Sequence, residues 1–163
     1  MNNDARWCKT LLCAYRRLGK FCDALNVAMD SFAMSGFMGN HMRVGVTTDM
    51  LYDKMIETAD RKKGFINIRI LVDNALKTLP DKYRSVLVSR YIHGNIAASS
   101  AEELGIPPRT YFRYSNKAVA LMTFALRHIG YNSERLEAEY GGEPFIMGLY
   151  KSAEKNEESG TQS

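Results

Sequence analysis

The ten residues "PRTYFRYSNK" at positions 108–117 combine guanidinium, amide, ammonium and aromatic side chains within three helical turns. At 3.6 residues per turn, Tyr111, Tyr114 and Ala118 share one face, whereas the polar and basic side chains lie on the other. An arginine can donate two hydrogen bonds to a guanine edge, an asparagine can pair with adenine, and a phenylalanine can pack on a thymine methyl group. This chemistry predicts a DNA-binding surface made of Pro108, Arg109, Phe112, Arg113, Asn116 and Lys117.

The segment that precedes this helix, "AEELGIPPRTY", favours a DNA-binding face over an ordinary solvated face. Ala101 is small enough to let two helices approach, Gly105 suits a left-handed turn, and Ile106 can fill the core behind that turn. The two prolines that follow begin a new helix, because proline is tolerated in the first turn of a helix. This order of residues is typical of a helix-turn-helix, whose second helix enters the major groove. Lys117, about two turns along that helix, is expected to contact a phosphate.

Apolar residues recur at intervals of three and four along most of the chain, which predicts an all-α fold. Thr48 is expected to cap the second helix, and the basic residues and glycine of "DRKKG" at 60–64 are expected to end it. Glycines and prolines punctuate the later helices. The predicted helices cover about residues 5–34, 49–60, 65–78, 80–93, 97–104 and 107–129, with a loop between the first two.

This pattern divides the chain into three regions. Residues 1–78 are predicted to form a helical region for self-association or partner contact. Residues 79–130 are predicted to form the helix-turn-helix module; positions 80–130 carry seven basic and three acidic residues. Residues 131–163 carry three basic and seven acidic residues, and their second half is polar, so a flexible, partly disordered acidic tail is predicted. The basic charge therefore lies in the region with the predicted DNA-binding helix.

Other chemistries find little support in the residue spacing. The cysteines Cys8, Cys13 and Cys22 are odd in number and lack CxxC spacing, and the three histidines lie apart, so no metal site is predicted. Phosphate-binding glycine loops and hydrolase motifs are missing, so neither an enzyme nor a cofactor is expected. Acidic residues at 49, 53, 57 and 60 share a helical face and are interpreted as solvated surface. The N-terminus lacks a signal-peptide layout and no apolar run approaches a membrane span, which predicts a cytoplasmic protein.

The stretch from Leu79 to Met122, "LPDKYRSVLVSRYIHGNIAASSAEELGIPPRTYFRYSNKAVALM", resembles the fourth region of bacterial sigma factors. That family shows LP, a charged helix ending in RY with an apolar residue and Gly, an A-E-x-L-G turn and a threonine-bearing recognition helix. The later stretch "RTYFRYSNKAVALMTFA" is similar to phage regulators of the ArpU and RinA type. The resemblance implies control of late phage or prophage genes. It also implies base-facing positions at Pro108, Arg109, Phe112 and Arg113, with Lys117 further along.

The leading hypothesis is a sequence-specific, DNA-binding transcriptional regulator that binds double-stranded DNA and self-associates as a homo-oligomer of unspecified size. One alternative is a sigma-like module that contacts RNA polymerase through the same fold. Another is a DNA packaging protein, because small terminase subunits also place helix-turn-helix modules beside oligomerising helices. Binding to bare duplex with a steep salt dependence would separate the leading hypothesis from the polymerase-binding alternative.

Overall fold

The structure, a computed structural model, describes residues 2–37 and 47–160. Over these residues it contains seven α-helices and no strand, which confirms the predicted all-α fold. A π-helical turn, Val88–Ile92, continues the third helix. None of the helices in the described ranges is both long and apolar enough to span a membrane. The helices are α1 (Asn3–Phe37), α2 (Thr48–Lys77), α3 (Asp81–Leu87), α4 (Ala97–Glu103), α5 (Pro108–His128), α6 (Ser133–Tyr140) and α7 (Pro144–Gly160).

The helices form two compact units. The first unit comprises Met1–Arg16 and Ile70–Ser163, and it contains the whole of the predicted helix-turn-helix module. The second unit comprises Arg17–Arg69, which are the later part of α1 and most of α2. Each of the two long helices therefore contributes to both units, and the first turns of α1 belong with the predicted module.

Helix α2 runs without interruption from Thr48 to Lys77, so the predicted stop at residues 60–64 is wrong. One row of its side chains, Leu51, Thr58 and Phe65, is buried. This packing along the helix outweighs the penalty of about 1 kcal/mol for a glycine in a helix interior. The backbone N–H of Met50 donates to Thr47 Oγ1 at 3.2 Å, so Thr47 rather than Thr48 supplies the capping oxygen. Residues 38–46 of the predicted loop lie outside the described residues.

Helices α6 and α7 form where the sequence pattern predicts a polar, partly disordered tail. Their apolar residues are few but spaced for one helical face, and Leu136, Tyr140 and Ile146 are buried. The Tyr150 ring lies 4.8 Å from the ring of Trp7, which joins α7 to the start of α1. Because a core is available beside them, a few well-placed apolar residues are enough to order an acidic segment. The first part of the predicted tail is therefore helical and packed on the core, while residues 161–163 lie outside the described part of the chain.

Candidate nucleic-acid interface

Four residues, 104–107, connect α4 to α5, and their backbone forms the tight turn that the sequence predicts. Gly105 adopts a φ of +64°, a conformation that glycine accepts at little cost. Its N–H donates to the carbonyl of Glu102, and the N–H of Ile106 donates to the carbonyl of Ala101, both at 3.0 Å. This pair of bonds is a Schellman motif, which satisfies the last carbonyls of α4 and ends the helix. Gly105 therefore lies at the turn, as predicted.

A small three-helix core holds the start of α5 in place. Val86 of α3, Ala101 of α4 and Tyr111 of α5 are buried together, each no more than 2% exposed. Ile106 packs against this cluster from the turn. The packing roles predicted for Ala101 and Ile106 are thereby confirmed. Since Tyr111 lies in the first turn of α5, burying its ring sets which face of the helix meets solvent.

The opposite face of α5 carries every residue predicted to contact DNA. The six side chains are all exposed, and Phe112 exposes 56% of its surface although it is adjacent to the buried Tyr111. Helix α5 contains four basic residues and no acidic one. The structure thus brings together, on one exposed helical face, Pro108, Arg109, Phe112, Arg113, Asn116 and Lys117.

Lys82 of α3 extends this basic face, and the sequence analysis missed it. Its Nζ lies 4.9 Å from the ring centroid of Tyr83 and 5.5 Å from that of Tyr114. The guanidinium carbon of Arg113 lies 5.7 Å from the centroid of the same Tyr114 ring. Both cations therefore contact the same ring, and each contact is worth about 0.5–1 kcal/mol when exposed. One signal in the sequence could have indicated this contact: Tyr114 lies at the border of the inward face of α5, where its half-buried ring can be reached by a cation from a neighbouring helix.

A polar network behind the turn orients α4. Ser100 is fully buried, and its Oγ donates to Ser89 Oγ at 2.5 Å. Ser89 in turn donates to the carboxylate of Glu103 at 2.7 Å. The side-chain amide of Asn95 also donates to that carboxylate, at 2.8 Å. The network links α4 to the π-helical turn, and the buried hydroxyls are costly to leave unpaired. No periodic pattern in the sequence indicates these pairings.

The titratable groups buried near this module are held neutral. Burial raises the pKa of the Cys8 thiol to about 12, so the thiol stays protonated at neutral pH. Burial also raises the pKa of the Tyr91 phenol well above its usual range. Within residues 2–37 and 47–160, no group of three or more His, Cys, Asp or Glu side chains is arranged to hold a metal ion. The chemistry offered by the exposed face of α5 is that of positive charge, hydrogen-bond donors and aromatic surface.

Comparisons with protein-family models, curated proteins and solved structures gave no match.

Proposed function

We propose that this protein is a sequence-specific DNA-binding transcriptional regulator that places the first turns of α5 in the major groove of duplex DNA. The observation that carries the proposal is the contrast within those turns. Tyr111 is 1% exposed and anchors the helix, whereas all six candidate contact residues around it face solvent. A role in phage or prophage genes is proposed from the resemblance to sigma region four and to the ArpU and RinA regulators.

The spacing of the two arginines suits neighbouring bases. Arg109 and Arg113 are four residues apart, so their Cα atoms are separated by about 6 Å along the helix axis. Base pairs stack about 3.4 Å apart, so the two guanidinium groups can reach bases about two steps apart. Each guanidinium can donate two hydrogen bonds to one guanine. Asn116 can pair with adenine one turn further along, and Phe112 can pack against a thymine methyl group.

The remaining cations are suited to the DNA backbone. Lys117 is exposed beyond the arginines, and Lys82 is exposed on α3, where it contacts the same Tyr114 ring as Arg113. Lysine presents a point charge that suits a phosphate, and such contacts set the register of the protein on the duplex without specifying sequence. Because each neutralised phosphate releases counterions, affinity should fall steeply as salt is raised.

An alternative role in contacting RNA polymerase is favoured by one further observation. Phe124 exposes 70% of its surface on α5, seven residues beyond Lys117 and on nearly the same side of the helix. Exposed aromatic residues are enriched at protein–protein interfaces. A sigma-like module would use this side chain, together with Phe112, to bind a protein rather than a base.

A binding titration separates the two roles. A labelled duplex is first selected from a randomised pool with the wild-type protein. Its fluorescence anisotropy is measured over a series of salt concentrations for three proteins: wild type, the double variant Arg109→Ala/Arg113→Ala, and Arg17→Ala. Arg17 is exposed in the second unit, so its replacement removes a positive charge without touching α5. We expect salt-sensitive binding by wild type and Arg17→Ala, and clearly weaker binding by the double variant. The alternative would be supported by two results together. Folded wild type would show no binding to the duplex at low salt, and it would bind RNA polymerase with an affinity that Phe124→Ala lowers.

A further inference from the structure

Helix α2 carries a row of exposed residues with the spacing of a coiled-coil seam. Consecutive members lie four, three, four and three residues apart. The three largest apolar members, Tyr52, Ile56 and Ile66, are 65%, 48% and 41% exposed. Alternating intervals of three and four keep side chains on one side of a helix, where they can pack against a second helix. We call this row the α2 stripe; it consists of Tyr52, Ile56, Ala59, Lys63 and Ile66.

The α2 stripe is separate from the row that forms the core of the second unit. That inner row includes Leu51, Thr58 and Phe65, which are no more than 9% exposed. Helix α2 therefore has two packing rows, of which only the inner one is buried in the described part of the chain. Isolated apolar residues on a surface need no explanation, but a regular row over about four turns is typical of a protein contact.

The charges along α2 indicate what packs against the stripe. Residues 49–60 carry four acidic side chains and one basic side chain, a net charge of −3. Residues 61–69 carry four basic side chains and no acidic one, a net charge of +4. Two such helices repel each other when parallel and attract each other when antiparallel. Antiparallel copies of one helix are related by a two-fold axis, which is the commonest symmetry of protein oligomers.

We propose that a second copy of this chain packs on the α2 stripe, with the two α2 helices antiparallel. Alignment about a two-fold axis near residue 61 places Ile56 of each copy opposite Ile66 of the other. It also places Ala59 opposite Lys63, where the small alanine leaves room for the lysine stem to pack. A lysine at one seam position costs stability but favours a single register. The acidic half of each helix then lies along the basic half of its partner.

This inference does not rest on DNA binding, and its test does not involve DNA. The mass of the protein in solution is measured by sedimentation equilibrium over a range of concentrations. Ile56→Asp places a charge in the seam, and Met50→Asp is the matched control. Met50 is 52% exposed on the same helix but lies outside the α2 stripe. Circular dichroism confirms that each variant stays helical.

We expect wild type and Met50→Asp to be dimers, and Ile56→Asp to raise the dimer dissociation constant by at least about tenfold, or 1.4 kcal/mol. A wild-type monomer at every concentration would overturn the proposal, as would a ring-like higher oligomer. Equal weakening by both variants would show that the α2 stripe is not the contact.

A charge reversal tests the orientation of the helices. Asp53→Lys/Asp60→Lys makes both halves of α2 basic, so an antiparallel dimer should weaken clearly. A parallel dimer would instead strengthen, since the variant changes the net charge of residues 49–60 from −3 to +1 and so reduces the repulsion between two like-charged halves. Mixing this variant with Lys62→Glu/Arg69→Glu, which brings the net charge of residues 61–69 from +4 to zero, should restore pairing as a heterodimer. Residues 62 and 69 lie opposite residues 60 and 53 about the same two-fold axis, so the reversed charges meet each other. An unchanged dissociation constant for Asp53→Lys/Asp60→Lys would overturn the antiparallel arrangement.

Discussion

Helices α5 and α2 differ in how their apolar residues are distributed around the helix axis. Helix α5 has one buried apolar side and one exposed basic side, so it is strongly amphipathic. Helix α2 has apolar residues on two sides, the inner row and the α2 stripe, and its net amphipathicity is close to zero. The comparison teaches that a helix with two packing rows loses the periodic pattern by which helices are recognised. The predicted stop at residues 60–64 has a different source, the basic residues and glycine of "DRKKG", which are typical of the end of a helix.

The two exposed faces also point to different partners. The exposed face of α5 carries arginine and lysine side chains and no acidic one, which suits an anionic partner. The exposed side of α2 carries the apolar α2 stripe, and the charge along this helix changes from acidic to basic near residue 61. Two copies in antiparallel orientation are therefore complementary in charge. We therefore propose that α5 binds duplex DNA and that α2 binds a second copy of the chain. Substitutions on one helix can test its role without changing the other helix.

The largest effect is expected from two adjacent aromatic residues on α5. Tyr111→Ala removes a ring that is 1% exposed in the three-helix core and should destabilise the protein by about 3–5 kcal/mol. Phe112→Ala removes an exposed ring whose centroid lies 5.6 Å from that of Tyr111, so it should cost less than about 1.5 kcal/mol. Chemical denaturation of both variants measures the difference. Similar losses would mean that Phe112 belongs to the core and not to the DNA-binding face.

A smaller loss of stability is expected at the turn that precedes helix α5. Gly105→Val forces a β-branched residue to a φ of +64° and should cost about 1–3 kcal/mol. A Cβ there would meet no atom within 4 Å, so the cost comes from the backbone alone. Gly19→Ala is the control, because Gly19 lies inside α1 with equal space around it and an ordinary φ. It should stabilise the protein by about 0.5–1 kcal/mol. Thermal melts that shift in the same direction would refute the turn geometry.

The smallest expected effect is a change in the salt dependence of DNA binding, which compares Lys117 of α5 with Lys63 of α2. Lys117→Ala should weaken binding to all duplexes alike and flatten the slope of log affinity against log salt by roughly one unit, because one phosphate contact is lost. Lys63→Ala, in the α2 stripe, should leave that slope nearly unchanged. Anisotropy titrations at several salt concentrations give both slopes. If Lys63→Ala flattens the slope as much as Lys117→Ala does, the division of roles between α5 and α2 fails.

The part of the fold that could be predicted is the part with local signals. These local signals act within a single turn or helix: Gly105 and the two prolines after it predict the turn, and the spacing of Tyr111 and Ala118 predicts the inward face of α5. They correctly placed α4, the turn and α5, and they predicted the exposed face of α5.

The missed features depend on contacts between residues far apart in the chain. Lys82 of α3 contacts the ring of Tyr114 on α5, so its place near the basic face depends on how these two helices pack. Ser89 and Ser100 pair across eleven residues without any periodicity. Helices α6 and α7 are too poor in apolar residues to be recognised without the core that they pack against, to which Leu136 and other buried side chains contribute.

The central claim is that the exposed face of α5 reads the sequence of a duplex, and Arg113 tests it most directly. A preferred site is first selected from randomised duplexes with the wild-type protein. The affinity of wild type and of Arg113→Ala is then measured for that site and for a scrambled duplex of the same length. We expect Arg113→Ala to lose about 1–3 kcal/mol on the preferred site and far less on the scrambled one. An equal loss on both duplexes, or no loss on either, would contradict base reading by this face.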